Sequence, residues 1–176
     1  MVAGVEGRWL SWSVLWAMLA SVCVTLATGC EEPPPPEGFE RVTIDNRTFD
    51  LEIAANDAVR FKGLSGRTEI KDNGGMLFVF ADARRLNFVM RDCPIAIDII
   101  FLDGNGRVVA KHKMVPEAPR RPTETDEGYN QRLKMYPSGY GAQFAIELKA
   151  NTLDQLKIKE GDQIKLDLAK LKALAK

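Results

Sequence analysis

The densest group of side chains able to do chemistry is the stretch Met90-Arg91-Asp92-Cys93-Pro94-Ile95-Ala96-Ile97-Asp98. Met90, Arg91, Asp92 and Asp98 could line a pocket for a polar ligand. In a hydrolase-like enzyme the same carboxylates would move protons. An architectural reading competes with this one. Pro94 turns the chain between strands, and Asp98 pairs with Lys111 or Lys113 across a hairpin, a contact worth a few tenths to about 1 kcal/mol. Cys93 would need a base to act as a nucleophile, and His112 is the single histidine. No third group is evident to orient such a pair, and hairpin parity puts His112 on the apolar face with Ile97 and Phe101. A packed histidine is the expectation. His112 and Cys93, the one histidine and the one cysteine after residue 38, cannot build a cysteine-rich zinc site. Gly63-Leu64-Ser65-Gly66 lacks the lysine and the long helix of a phosphate-binding loop. No metal and no cofactor are expected.

A second group lies in Pro116–Ala142, a long segment punctuated by Pro116, Pro119, Pro122 and Pro137. It holds all three tyrosines, Tyr129, Tyr136 and Tyr140, together with Arg120, Arg121 and Arg132. Tyrosine offers large contact area at low entropic cost, and arginine offers planar donors for carboxylates or sugar hydroxyls. Pro137-Ser138-Gly139 can turn the chain so that Tyr136 and Tyr140 project from one tip. The expectation is a recognition patch of Tyr129, Tyr136, Tyr140, Arg120 and Arg121 beside the Arg91-Asp92 turn. The alternative is that the tyrosines pack down to cap an open barrel end.

The elements that must position these residues are mostly strands. Val42 and Ile44, then Phe49, Leu51 and Ile53, alternate with polar residues around Asp45-Asn46, which reads as a hairpin. Asn56 caps a short helix that Gly63 stops. Met76–Phe80 has the continuous apolar character of a strand buried on both faces, and Leu86–Met90 reads as the next strand. Ile97–Leu102 and Arg107–His112 flank Asp103-Gly104-Asn105-Gly106, a strong hairpin signal. Its parity places Ile97, Ile99 and Phe101 with Val108, Ala110 and His112. Gln143–Lys149 and Asp162–Asp167 read as later strands, with helices at Asn151–Leu156 and Leu168–Ala175. The fold class is therefore mainly β: a compact antiparallel sandwich or barrel with short helices.

Composition limits the setting. The chain has 176 residues, 24 basic and 24 acidic side chains, and no net charge. That length suits one domain plus a tail. Neutrality argues against nucleic acid as a partner, because displacing phosphate counterions needs a basic surplus. The run Trp9–Ala27 carries no charge and contains every tryptophan, enough for a secretory signal or an uncleaved membrane anchor. Ala27-Thr28-Gly29-Cys30 resembles a bacterial lipoprotein signal, cut before a cysteine that is then acylated. Residues 1–29 are expected to be the signal peptide, residues 30–38 a Pro-rich linker, and residues 39–176 one β domain. Acylation of Cys30 would make the protein a lipoprotein of the cell envelope, membrane-anchored and facing the periplasm or the exterior. Cys93 would then remain alone, with no intramolecular disulfide available. Pro33–Pro36 favour an extended polyproline stalk of roughly 3 Å per residue.

Several stretches together resemble the prokaryotic family known as domain of unknown function 192 (DUF192). They are Arg60-Phe61-Lys62-Gly63-Leu64-Ser65, Gly75-Met76-Leu77-Phe78-Val79-Phe80 and Phe88 through Phe101, followed by the Asp103–Gly106 turn, Ala145-Ile146-Glu147-Leu148 and Gly161-Asp162. The resemblance covers about residues 40–168. It implies a mainly β, sandwich-like fold and no particular activity. The family's Phe-Trp-Met-Lys-Asn-Thr motif departs here to Val89 at the tryptophan and Asp92-Cys93 at the Asn-Thr pair, and Ala96 replaces the later proline. A ligand that stacks on that tryptophan in relatives cannot do so here. The functional expectation is a lipid-anchored binding or accessory module that meets an envelope protein or glycan through its Tyr/Arg-rich loop. An envelope enzyme using Arg91, Asp92 and Asp98, or a purely structural envelope protein, are the alternatives.

Overall fold

The computed structural model describes residues 1–4 and 33–176. The apolar run Trp9–Ala27, the expected cleavage point and Cys30 lie outside the described residues. The chain divides into two units, Met1–Glu32 and Pro33–Lys176, and the second holds every strand and helix described. Among the described residues no helix is long and apolar enough to cross a membrane.

Six strands form one sheet: β1 (Phe39–Ile44), β2 (Arg47–Ala54), β3 (Gly74–Phe88), β4 (Ile97–Leu102), β5 (Val108–Met114) and β6 (Tyr136–Lys149). Their order is β1-β2-β3-β6-β4-β5. The protein is mainly β, as expected, and the sheet does not close into a barrel. It is mixed: β2 and β3 run parallel, and every other neighbouring pair is antiparallel. Parallel neighbours need a crossover rather than a tight turn. Here α1 (Asp57–Lys62) and residues 63–73 supply it. Asn56 caps α1, its Oδ1 accepting from the Val59 N–H at 3.0 Å, and Gly63 ends it at φ 49°.

The last-made strand, β6, lies inside the sheet between β3 and β4. Its Phe144, Ile146 and Leu148 share one apolar cluster with Leu77, Val79, Ile100 and Leu102. The C-terminal segment covers that face with Leu156, Ile164 and Leu171, the last on α3 (Leu168–Leu174). Each such fully buried side chain contributes about 1.5–3 kcal/mol. The opposite face carries Met76, Phe78, Phe80, Ile97, Ile99, Phe101 and Ala145. Leu64, Ile70, Met90 and Cys93 cover it from two connecting segments. At Gly75 the backbones come so close that an added Cβ would meet the Glu147 carbonyl oxygen at 2.2 Å.

Several local expectations change in the folded chain. Met76–Phe80 and Leu86–Met90 are not two strands, because β3 runs unbroken from Gly74 to Phe88 with register shifts near Val79/Arg84 and Arg85/Asn87. A register shift between Phe101 and Leu102 pairs Leu102 with Val108. That moves Val108 to the Leu102 face, while Ala110 and His112 keep the predicted parity. Residues 151–156 form turns rather than a helix, and Asp162–Asp167 contributes only a single bridge, Arg107 with Gln163. The long segment Pro116–Ala142 has regular structure of its own. It contains α2 (Asp126–Arg132), capped by Thr125, and the first half of β6. The proline-rich stretch touches the domain: the Pro33 carbonyl accepts from Arg41 Nη1 at 2.6 Å.

Candidate functional site

Two buried side-chain polar atoms lack a hydrogen-bond partner among the described residues, Arg91 Nε and Glu147 Oε2. Both residues line one cavity of about 450 Å³, a volume in the range of small-ligand sites. Buried polar groups are ordinarily paired, and leaving one unpaired costs about 1–3 kcal/mol. Two such atoms on residues that line a single cavity make it the candidate site.

The sheet supplies the inner wall. Glu147 stands in β6 opposite Met76 of β3 and Ile99 of β4, and is 6% exposed. Phe78 and Phe80 of β3 lie on the same face, and Phe88 from the end of β3 returns to pack edge-on against Phe78 at 4.9 Å. Leu64 and Cys93 close the wall from the two covering segments. At the rim stand Phe61 and Lys62 of α1, Arg84 and Asn87 of β3, and Arg91.

Local structure holds the rim in place. Arg60 donates to the Val79 carbonyl at 2.7 Å and pairs with Asp57 at 2.6 Å. Its guanidinium lies 5.2 Å from the Phe80 ring centre, and that of Arg84 lies 5.0 Å from the same ring. Arg91 sits 4.5 Å from the Phe61 ring centre, and Phe61 is 74% exposed. The Arg91 carbonyl accepts from both Ser65 Oγ at 2.8 Å and Cys93 Sγ at 3.4 Å. Those two contacts fix the turn from which the guanidinium projects.

The electrostatics of the inner wall are set by burial. Burial pushes the Glu147 carboxyl up to about 8, against the opposing pull of the Arg67 charge. Arg67 is itself engaged by both carboxylate oxygens of Glu52, at 2.5 and 2.6 Å. At neutral pH Glu147 is therefore largely protonated, able both to donate and to accept. Burial, then the Glu147 charge, pushes the Cys93 thiol up to about 11. A thiol held protonated is a poor nucleophile. His112 offers it no base, because its Nε2 contacts the Pro137 carbonyl at 2.7 Å and its ring packs against Tyr136 and Phe101.

The residues expected from sequence fall in different places. Arg91 lines the cavity, and Met90 is core, 1% exposed. Asp92 adopts φ 52° outside the cavity and binds Tyr129. Asp98 lies on the other face, buried, where its Oδ2 accepts from the Leu153 N–H at 2.8 Å. Lys113, its cross-strand neighbour, pairs instead with Asp154 at 2.5 Å. The structure thus brings Arg91 and Asp92 together and keeps Asp98 apart. Tyr129 and Tyr136 are buried, and the Tyr136 hydroxyl accepts from the Val115 N–H at 3.1 Å. Tyr140 is exposed. Arg120 contacts Glu124 and Asp126, and the Arg121 N–H donates to Glu124. Sequence reasoning missed Glu147, Arg60, Phe61 and Arg84. The signal for Glu147 was present: a carboxylate inside the apolar strand Phe144-Ala145-Ile146-Glu147-Leu148. Among the described residues no cluster of side chains is arranged to hold a metal.

Comparison with known proteins agrees with this architecture. A protein of unknown function from Novosphingobium aromaticivorans DSM 12444 has a solved structure similar to this chain, with a TM-score of 0.62 and 25% identity. The match covers 76% of this chain and 91% of that one. A protein from Sinorhizobium meliloti 1021, described as a candidate transcription regulator, shares the fold at a TM-score of 0.57 and 24% identity. There the coverage is 76% of this chain and 96% of that one. No curated protein matches the chain. The model of the DUF192 family, described only as uncharacterized, matches residues 40–166, the strands and the cavity together, and the chain belongs to that family.

Proposed function

We propose that this protein is an envelope-tethered binding module that captures a small organic molecule in the cavity between Phe61, Arg91 and Glu147. The observation that carries the reading is the pair of unpartnered buried atoms, Arg91 Nε and Glu147 Oε2, on residues that line one cavity. A fold that leaves two such groups unsatisfied is less stable than it could be, and a bound ligand offsets that cost. Acylation of Cys30 supplies the tether and places the module in the cell envelope, facing the periplasm or the exterior. The hydroxyls of Tyr129 and Tyr136 are used within the domain. Tyr140, Arg120 and Arg121 are left at the surface for an envelope protein or a glycan.

Two measurements test this. Full-length protein in detergent is screened by thermal shift against small organic acids, alcohols and amides. Binders should raise the melting temperature of wild type, and Arg91→Ala should abolish the gain; a screen with no binder, or binders indifferent to Arg91→Ala, overturns the cavity assignment. Metabolic labelling with a fatty-acid analogue tests the tether, which is wrong if wild type takes no label or Cys30→Ser is labelled equally.

An acid–base enzyme is the second reading, favoured by the carboxyl of Glu147 lying near 8 in a ligand-sized cavity. Turnover of a bound ester or glycoside that is lost in Glu147→Gln would select it.

A further inference from the structure

The charges around the cavity narrow the chemistry of what enters it. α1 contributes Asp57, Arg60 and Lys62, β3 contributes Arg84, and the turn after β3 contributes Arg91. Asp57 is already engaged by Arg60, and the Arg67 charge also reaches Glu147 from the covering segment. The entrance is therefore cationic, and Glu147 is the one acidic group on the buried wall. An ammonium group seeking Glu147 would have to pass several like charges and shed its water. An anionic group is drawn to the rim, where Lys62 and Arg84 are exposed, and would have to shed its water to go deeper.

Between rim and wall the surface is aromatic. Phe78, Phe80 and Phe88 form an edge-to-face cluster, which accepts a planar or apolar body. On the buried wall Glu147 Oε2 lacks a donor, and at the rim Arg91 Nε lacks an acceptor. A hydroxyl or a carboxamide supplies the donor, and an acid group supplies the acceptor.

We propose that the cavity takes an organic anion whose buried end carries an uncharged hydroxyl or amide, received by Glu147, with its acid held by the cationic rim of Lys62, Arg84 and Arg91. The proposal rests on the cavity being the binding site, as inferred above. Glu147 becomes the specificity-determining residue: it selects the hydroxylated acid over its unsubstituted parent and over the amine. Sites that hydrogen-bond a ligand hydroxyl discriminate strongly against analogues lacking it, because their own polar groups are then left unpaired.

The test is a matched series of aryl carboxylates and aryl phosphates bearing hydrogen, hydroxyl, carboxamide or aminomethyl opposite the acid. Affinities for the full-length protein in detergent are measured by titration calorimetry. In wild type, the hydroxyl or carboxamide member should bind at least about tenfold tighter than the parent, and the aminomethyl member weakest. Glu147→Leu should bring hydroxyl and parent to near equality, and Glu147→Gln, which keeps an acceptor, should retain much of the preference. Where Glu147→Leu fails to fold, the Gln variant and the wild-type ranking decide. Equal binding of parent and hydroxyl by wild type, a preference surviving in Glu147→Leu, or tightest binding of the amine overturns this inference and leaves the cavity assignment standing. Failure of every member to bind overturns both.

Discussion

The Tyr129 hydroxyl holds Asp92 from two sides, accepting from its backbone N–H and donating to its Oδ1, both at 3.0 Å. Asp92 sits at φ 52°, a left-handed conformation that a non-glycine residue adopts only when its surroundings favour it. The neighbouring residue is Arg91, whose guanidinium lies 4.5 Å from the Phe61 ring centre at the cavity rim. The long segment 116–142 thus contributes to the site indirectly, by fixing the turn that presents Arg91. Arg132 supports it in turn, lying 4.7 Å from the Tyr129 ring centre and pairing with Glu124 at 2.6 Å.

Tyr129→Phe keeps the ring and removes both contacts to Asp92. Stability should fall by about 1–2 kcal/mol in denaturant melts, the usual effect of unpairing partly buried groups. Unchanged stability would show that the turn is held by Ser65 and Cys93 alone.

Tyr136 and Tyr140 should behave oppositely. Tyr136→Ala removes a ring that is 3% exposed and the acceptor for the Val115 N–H, and should cost about 3–5 kcal/mol. Tyr140 is 70% exposed, so Tyr140→Ala should shift stability by no more than about 0.5 kcal/mol. Thermal melts of the two single variants check this, and similar losses would contradict the packing described.

Glu147 makes stability depend on pH. Its carboxyl is raised by burial from 4.5 to about 8, so between those values the folded chain binds the proton more tightly than the unfolded chain. The contribution is fully present below about 4.5 and is lost as pH rises through about 8. The slope is up to about 1.4 kcal/mol per pH unit. Denaturant melts from pH 5 to 8.5 should show wild type losing stability steadily relative to Glu147→Gln. Parallel curves would mean that Glu147 is solvated or paired.

Cys93 should be slow to react. A thiol pushed from 9.0 to about 11 holds about 100-fold less thiolate at neutral pH. Alkylation of the Cys93 peptide, followed by mass spectrometry, should be at least that much slower in native than in denatured protein. Cys93→Ser should cost roughly 1 kcal/mol of stability in denaturant melts. Rapid native labelling with loss of binding would give the thiol a functional role.

Much of the fold followed from local chemistry. The Asp45-Asn46 turn, the Asn56 cap with its Gly63 stop, and the Asp103–Gly106 hairpin each rest on residues near one another in the chain. The alternation at Val42, Ile44, Phe49 and Leu51 reflects burial of one strand face, which periodicity reports directly. The sequence alone thus determined a mainly β domain, its principal turns and its family.

Strand order and the site were decided only in three dimensions. Nothing near β6 in the chain says that it inserts between β3 and β4, because that pairing joins residues far apart in sequence and is chosen by mutual burial of faces. The single-residue shift between Phe101 and Leu102 moved Val108 across the sheet, an event that leaves no mark in hydropathy. Asp98 and Arg91 lie close in sequence yet serve different faces, since Asp98 is committed to the Leu153 backbone. Arg91 and Glu147 are distant in sequence and line one cavity. Glu147 was visible as a carboxylate in an apolar strand, but its character as an unpaired, buried and largely protonated acid comes from the surfaces that β3, β4 and the two covering segments close around it.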